Sequence, residues 1–170
     1  MAVWSRILCP VDFSPPSRAA LEEAADLAWR FAGELTLLHV DDRPGRPALG
    51  ETLLAPAAVE PWTLELERQL AEWAGIAEHT AVRPVRYALA AGPPAGEILR
   101  FAAEGGFDAI VMGTHGRGGV EHLQFGSVAE VVVRGAACPV LVVRRREARD
   151  GERMGREEPA QPPGAWSPEA

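Results

Sequence analysis

A glycine motif beginning at residue 113 has the residue types and spacing of a phosphate-binding loop. Gly113 and Gly116 are followed, after nine residues, by Gly126 and Ser127, in the pattern G-x2-G-x9-G-S. Small residues at a strand exit and at a helix entrance leave backbone N–H groups open to an anion. We expect the Ser127 hydroxyl to cap the following helix or to hydrogen-bond a phosphate.

A carboxylate stands at a comparable place early in the chain. Asp12 follows the apolar run 7–11, and the glycine motif follows the apolar run 109–112. Carboxyl ends of parallel strands meet at one edge of a sheet, and ligands bind there where the strand order reverses. Asp12 and the glycine motif are therefore predicted to converge, unless Asp12 only caps the adjacent helix turn.

Nine apolar segments position these residues in an α/β fold. Their alternation predicts one domain with an open five-stranded parallel sheet, order 3-2-1-4-5 (flavodoxin-like), and helices on both faces. The predicted strands span residues 7–11, 35–40, 82–90, 108–112 and 139–143. The first predicted helix starts at the Ser14 cap and stops at Gly33. The other three are predicted through residues 66–77, from 92 to 105–106 and from 127 to 134.

Both edges of this sheet carry a signal. Pro84, near the start of the predicted third strand, favours an edge position. The fifth strand is apolar at residues 140–143, and an exposed edge of that kind invites pairing with a second copy of the chain. Residues 41–60 are predicted to be irregular, with a short helical turn at Leu53 and Leu54.

Composition excludes several classes of protein. The 170 residues carry a net charge of -7, which argues against non-specific nucleic-acid binding. No apolar run approaches the ~20 residues of a membrane span, and the N-terminus lacks a signal-peptide pattern, so we expect a cytoplasmic protein. All 17 basic residues are arginine. A Walker A loop and a Schiff-base enzyme both need lysine, so any nucleotide is bound by a lysine-free route.

Other chemistries find little support. The turn at residues 12–15 contains no glycine, which argues against a dinucleotide-binding fingerprint. Cys9 and Cys138 are predicted to be small buried side chains on separated strands, not a redox pair. His39 is predicted to be a satisfied strand histidine. His115 and His122, with only Glu121 nearby, do not make a convincing metal site.

The C-terminal segment differs from the rest of the chain. Residues 145–170 contain no Val, Ile, Leu or Phe and end in a proline-rich stretch. Such a segment cannot bury enough apolar surface to offset ordering. We predict a folded domain over 1–144 and a disordered tail over 145–170.

Several separated segments resemble the universal stress protein (UspA-like) family. They are residues 6–14, 37–40, 108–117, 126–129 and 138–143, and the resemblance spans 3–144. The glycine motif in register with Asp12 is its most specific part. The resemblance implies the adenine nucleotide alpha hydrolase-like fold, the ATP-binding subgroup of the family and a homodimer formed through the fifth strand.

The resemblance also implies roles for individual residues around ATP, with or without Mg2+. Asp12 would hydrogen-bond the ribose, and Val40 would meet the adenine edge through its backbone. Pro10, Val11 and Met112 would line the nucleoside pocket. Phosphate contacts would come from Gly113, His115, Gly116, Arg117, Gly126, Ser127 and Val128. Val11 stands where many relatives have a hydroxyl residue, and Arg117 is the only cation of the glycine loop.

Three functions remain open at this point. The first is a stress-response or signalling module that binds ATP, and the pattern does not separate ATP from AMP or cyclic AMP. The second is a slow ATP-hydrolysing enzyme, for which a positioned base and Mg2+ ligands are needed. The third is a dimeric scaffold without a ligand, in which the glycines only form turns.

Overall fold

The computed structural model describes residues 4–43, 61–114 and 126–144. Within these ranges, nine elements follow one another, with strands and helices in alternation. The strands are β1 (Arg6–Pro10), β2 (Glu34–Asp41), β3 (Arg86–Ala91), β4 (Ala109–Gly113) and β5 (Val140–Val143). The helices are α1 (Pro15–Phe31), α2 (Pro61–Ala81), α3 (Pro94–Gly105) and α4 (Ser127–Gly135).

The sheet has the predicted order. Its five strands lie in the order β3-β2-β1-β4-β5, and every pair is parallel. The fold class is thus confirmed. The edge positions of β3 and β5 are also confirmed, because each pairs with a single neighbour within the described residues.

Apolar side chains cover both faces of the sheet. One face packs Ile7, Cys9 and Val111 against α1 and α2, and the other packs Leu8, Ile110 and Met112 against α3 and α4. Alternate residues of β1 therefore enter different cores, which is why its sequence is continuously apolar instead of alternating. Two helices therefore cover each face of the sheet.

The third strand starts later in the chain than the sequence predicts. Residues up to Ala81 belong to α2, and Val82 has a φ of 54°, a left-handed conformation that ends the helix. The strand starts only at Arg86, so Pro84 precedes it. The edge position was predicted correctly, but Pro84 is not its cause.

The two ends of α1 are determined by different contacts. Ser14 is the N-cap as predicted, and its hydroxyl accepts from the Ser17 N–H. The helix ends at Ala32, which takes the left-handed conformation expected of Gly33. Gly33 is needed for another reason, since a Cβ there would lie 2.5 Å from the Trp4 carbonyl oxygen.

Among the residues that the structure describes, no helix is long and apolar enough to cross a membrane. The predicted turn at Leu53 and Leu54 and the predicted tail at 145–170 lie outside the described residues.

Candidate adenine nucleotide site

A crevice opens where β1 and β4 separate. The two strands pair only at Ile7–Ala109 and Leu8–Ile110. Beyond this point β1 stays with β2 and β4 stays with β5 up to Gly113–Val143. The sheet therefore splits along its centre near the carboxyl ends of the strands, which is the position at which open α/β sheets bind ligands.

Val40 presents its backbone toward this crevice. In β2 the Glu34 N–H and the Leu38 carbonyl bond toward β1, so even-numbered residues face that side. The last β1–β2 pair is Pro10–Leu38, and β2 continues to Asp41. The N–H and C=O of Val40 accordingly point to the β1 side beyond the last paired residue. This is the orientation that backbone recognition of a base edge requires.

His39 holds the chain where β1 leaves the sheet. The Val11 N–H donates to the Leu38 carbonyl at 2.8 Å, and the Val11 carbonyl lies 2.8 Å from His39 Nδ1. Because a carbonyl only accepts, Nδ1 carries the proton and donates. His39 is buried, so the prediction of a satisfied strand histidine is confirmed. Pro10 and Val11 are buried at the floor of the crevice.

Asp12 is fixed by the residue that caps α1. Its Oδ1 accepts from the Ser14 N–H at 3.0 Å and also from the Ser14 hydroxyl. Asp12 therefore does not itself cap α1, because Ser14 occupies that position. Its carboxylate is half-buried and stands between β1 and the start of α1.

The two ends of the glycine motif lie side by side. The Thr114 N–H donates to the Val143 carbonyl at 3.1 Å, and the Gly126 N–H donates to the Thr114 carbonyl at 2.7 Å. The exit of β4 and the entrance of α4 are thus tied together at the crevice. Gly126 therefore lies next to Thr114, the residue that follows Gly113.

The first turn of α4 has no side-chain cap. Its N-cap residue is Gly126, and Ser127 is the first helical residue, so the prediction that the Ser127 hydroxyl caps the helix is wrong. With Gly126 as the cap, the helix starts one residue earlier than it would with Ser127 as the cap, and the Gly126–Thr114 bond holds the cap residue beside the end of β4. Among the described residues, no side chain caps the first turn of α4, whereas α1 is capped by Ser14.

Met112 and Val128 lie on the α3 and α4 face. Met112 is buried in that core, and Val128 packs against it while remaining partly exposed. Both flank the junction of β4 with α4, so they are near the crevice floor. Nothing among the described contacts assigns either side chain to a ligand, and their roles stay predictions.

An ion pair between buried Asp41 and half-exposed Arg43, beside Val40, was missed by the sequence analysis. Asp41 ends β2 with its side chain 3% exposed, and Arg43 grips both carboxylate oxygens at 2.6 and 2.8 Å. The hydrogen bond to Asp41 raises the pKa of Arg43. The available signal was an aspartate directly after an apolar strand with an arginine two residues later. The pair links the end of β2 to the second residue after it.

Of the two cysteines, Cys9 is buried as predicted, whereas Cys138 is only partly buried. Cys9 is fully buried in β1, and burial raises the pKa of its thiol. Cys138 precedes β5, and β4 stands between the two strands. Neither is a redox partner of the other.

Three predicted phosphate contacts, His115, Gly116 and Arg117, lie outside the described residues, as do Glu121 and His122. Within the described ranges, no three His, Cys, Asp or Glu side chains come together as metal ligands would.

Comparison with known proteins identifies relatives along nearly the whole described part. The family model described as "Universal stress protein family" matches residues 4–144. A universal stress protein of Methanocaldococcus jannaschii is 36% identical over 151 residues, covering 84% of each chain. A second relative, from Bacillus subtilis, is 32% identical and covers 84% of this chain and 100% of its own.

Solved structures share the fold. Universal stress protein UspA from Lactobacillus plantarum superposes with a TM-score of 0.66 at 28% identity, covering 85% of this chain and all of that one. A universal stress protein in complex with cAMP has a TM-score of 0.63 at 20% identity, covering 84% and 98%. An Archaeoglobus fulgidus protein in complex with dAMP has a TM-score of 0.58 at 20% identity, covering 83% and 98%. At 20% identity, the similarity to these two complexes is evidence for the fold only.

Proposed function

The chain belongs to the universal stress protein family, and we propose that it binds an adenine nucleotide, ATP in the first place, in the crevice between β1 and β4. In this proposal the protein is a stress-response or signalling module whose state depends on the bound nucleotide. The observation that carries the proposal is the uncapped first turn of α4 beside the exit of β4.

The phosphates go to α4 because its first turn offers donors that α1 does not. Ser14 already accepts from the first turn of α1, whereas Gly126 contributes no side-chain acceptor to α4. The amides of Ser127 and Val128 and the positive end of the helix favour an anion. Gly113, His115, Gly116 and Arg117 complete the phosphate contacts, with Mg2+ entering as part of the nucleotide.

The base goes to Val40 because adenine presents an acceptor, N1, beside a donor, the 6-amino group. The N–H and C=O of Val40 are on the same side of β2 and offer the complementary pair. Pro10, Val11 and Met112 provide apolar walls, and Asp12 accepts from the ribose hydroxyls. The fold holds adenine nucleotides in the cAMP and dAMP complexes of two other proteins.

The test is calorimetric titration of Mg-ATP and of adenosine into the purified chain and into Ser127→Pro. Proline is tolerated at the first helical position, and Gly126 already has the extended conformation, φ -70° and ψ 158°, that a residue before proline needs. The substitution removes one first-turn N–H. We expect the ATP affinity to fall about tenfold, the contribution of one charge-assisted hydrogen bond, and adenosine binding to stay unchanged.

Ser127→Ala is the matched control, since it removes the hydroxyl but keeps the N–H. It separates a contact by the hydroxyl from a contact by the backbone. If the unaltered chain, stripped of endogenous ligand, binds neither ATP nor adenosine, the proposed function is wrong. If Ser127→Pro weakens both ligands equally, α4 is not the phosphate site.

We further propose that the protein acts in the cytoplasm as a homodimer paired through β5. All four residues of β5 are half-buried although the strand has one neighbour within the described residues. An apolar edge strand of this kind is stabilised by pairing with another chain.

A further inference from the structure

Phe13, between Asp12 and Ser14, has a left-handed backbone conformation with a φ of 62°. Two other non-glycine residues of the described part have positive φ. They are Ala32 and Val82, which directly follow α1 and α2, where such a residue commonly ends a helix. Phe13 instead lies at the crevice, ahead of α1. A bulky residue persists in this conformation only when its surroundings impose it.

Two aromatic rings pack against the ring of Phe13. Its ring centroid lies 4.7 Å from that of His39 and 5.3 Å from that of Trp73, which it meets edge-on at 89°. His39 is anchored on the Val11 carbonyl, and the Arg18 guanidinium lies 5.6 Å from the Trp73 ring centroid. Phe13, His39 and Trp73 form what we call the aromatic clamp. It ties the turn after β1 to β2 and to α2.

The conformation of Phe13 determines what Asp12 can bind. The Ser14 N–H that grips Asp12 Oδ1 belongs to the peptide that follows Phe13. Rotation at Phe13 would turn this N–H away from the carboxylate and remove that hydrogen bond to Asp12. With the clamp closed, the Ser14 N–H and hydroxyl hold the carboxylate in one direction.

We propose that the aromatic clamp is a positioning device for Asp12. It keeps Phe13 left-handed and thereby aims the Asp12 carboxylate at the ribose hydroxyls of the nucleotide. This inference rests on the proposed nucleotide function. The aromatic clamp acts through Asp12, so it determines discrimination at the ribose. Other residues recognise the base and the phosphates.

The experiment compares ATP with 2′,3′-dideoxyATP, which lacks both ribose hydroxyls, by calorimetry on the full chain. The unaltered protein is expected to prefer ATP at least about tenfold, the contribution of a hydrogen bond to a charged group. Phe13→Gly tolerates the left-handed backbone but removes the ring. Its preference should fall to near unity through weaker ATP binding, with dideoxyATP affinity unchanged. Phe13→Tyr keeps the ring and should keep the preference.

Two further variants make the result decisive. Phe31→Leu alters an aromatic residue at the far end of α1, outside the clamp, and should leave the preference intact. If Phe13→Gly does not fold, Trp73→Leu removes one side of the clamp while leaving residue 13 unchanged, and it should lower the preference. An unaltered preference in a folded Phe13→Gly or Trp73→Leu protein overturns the clamp proposal.

Measurements on the unaltered chain distinguish failure of the clamp proposal from failure of the proposed function. Equal binding of ATP and dideoxyATP by that chain would mean that Asp12 does not read the ribose, which overturns the clamp while nucleotide binding stands. No binding of either nucleotide would overturn the proposed function and the clamp together.

Discussion

Gly113 lies directly against the backbone of Pro16. A Cβ on Gly113 would stand 2.8 Å from the Pro16 carbonyl carbon and 2.9 Å from its oxygen. The glycine at the end of β4 is thus required for the close approach of β4 to the first turn of α1. A substitution at Gly113 alters the scaffold of the crevice, so loss of ligand binding in such a variant would not by itself place the phosphates there.

Gly113→Ala is therefore expected to destabilise the protein without any ligand. Backbone atoms cannot move aside cheaply, so we expect the free energy of unfolding to fall by about 1–3 kcal/mol, as in overpacked cores. Urea denaturation without nucleotide measures it. Gly75→Ala is the control, because a Cβ there meets nothing within 4 Å and alanine favours the helix by roughly 0.5–1 kcal/mol. Equal stabilities of Gly113→Ala and the parent would refute the packing role.

The orientation of Val40 predicts selection against inosine and guanine nucleotides. ITP presents a donor at N1 and an acceptor at position 6. The N1 donor would face the Val40 N–H, and the 6-oxygen would face the Val40 carbonyl, so neither hydrogen bond could form. Two mismatched hydrogen bonds should weaken binding roughly a hundredfold relative to ATP. Competition titrations of ITP and GTP against bound ATP measure the ratio.

The same ratio in Ser127→Pro serves as the control, since that substitution alters a phosphate contact and not the base contact. If the affinities of the protein for ATP and ITP differ by less than a factor of two, the Val40 backbone does not recognise the base.

Asp108 predicts an acid-dependent contribution to stability. Its Oδ2 accepts from the Ser5 hydroxyl at 2.7 Å, from the Arg6 N–H at 2.9 Å and from the Ser5 N–H at 3.0 Å. These bonds, that of the Ser5 hydroxyl foremost, lower the pKa of Asp108 below 3.8. A lowered folded-state pKa stabilises the fold above the unfolded pKa, and this stabilisation is lost as the pH falls through the folded pKa.

Asp108→Asn should therefore reduce stability near pH 7 and flatten its decline below about pH 4. Chemical denaturation at pH 7, 4 and 3 measures this. Glu23→Gln is the control, because Glu23 makes no hydrogen bond or ion pair among the described residues. A decline of unchanged steepness in Asp108→Asn would contradict the assignment.

The register of β5 predicts which substitution separates a dimer. The carbonyls of Pro139 and Val143 accept from β4, so the N–H of Val142 points to the open edge. Val142→Pro removes that N–H without removing a bond to β4, and proline is tolerated at sheet edges. We expect sedimentation to show the parent as a dimer and Val142→Pro as a monomer near 18.2 kDa.

Val142→Ala trims the same side chain but keeps the N–H, so it should remain dimeric. A Val142→Pro protein that still dimerises would place the interface elsewhere than on the β5 edge.

Much of this architecture is determined by the sequence because its signals are short-ranged. Continuous apolar runs predict buried parallel strands, and the alternation of strands and helices predicts the sheet order and both edges. Ser14 before two prolines predicts the start of α1. Small residues flanking β4 and α4 predict an anion site. Asp12, at the end of the first apolar run, is predicted to lie across the crevice from that site. Each of these inferences needs only residues close together in the chain.

Tertiary structure decided the features that depend on contacts between distant segments. The hydrogen bond from Gly126 to Thr114 moved the start of α4 and left its first turn uncapped. The Val40 backbone faces the crevice because β2 runs past the end of β1, a matter of strand register. Gly113 lies against Pro16 because β4 approaches α1 closely, a contact that no local pattern encodes. The left-handed Phe13 likewise depends on rings from β2 and α2, which only the folded chain brings together.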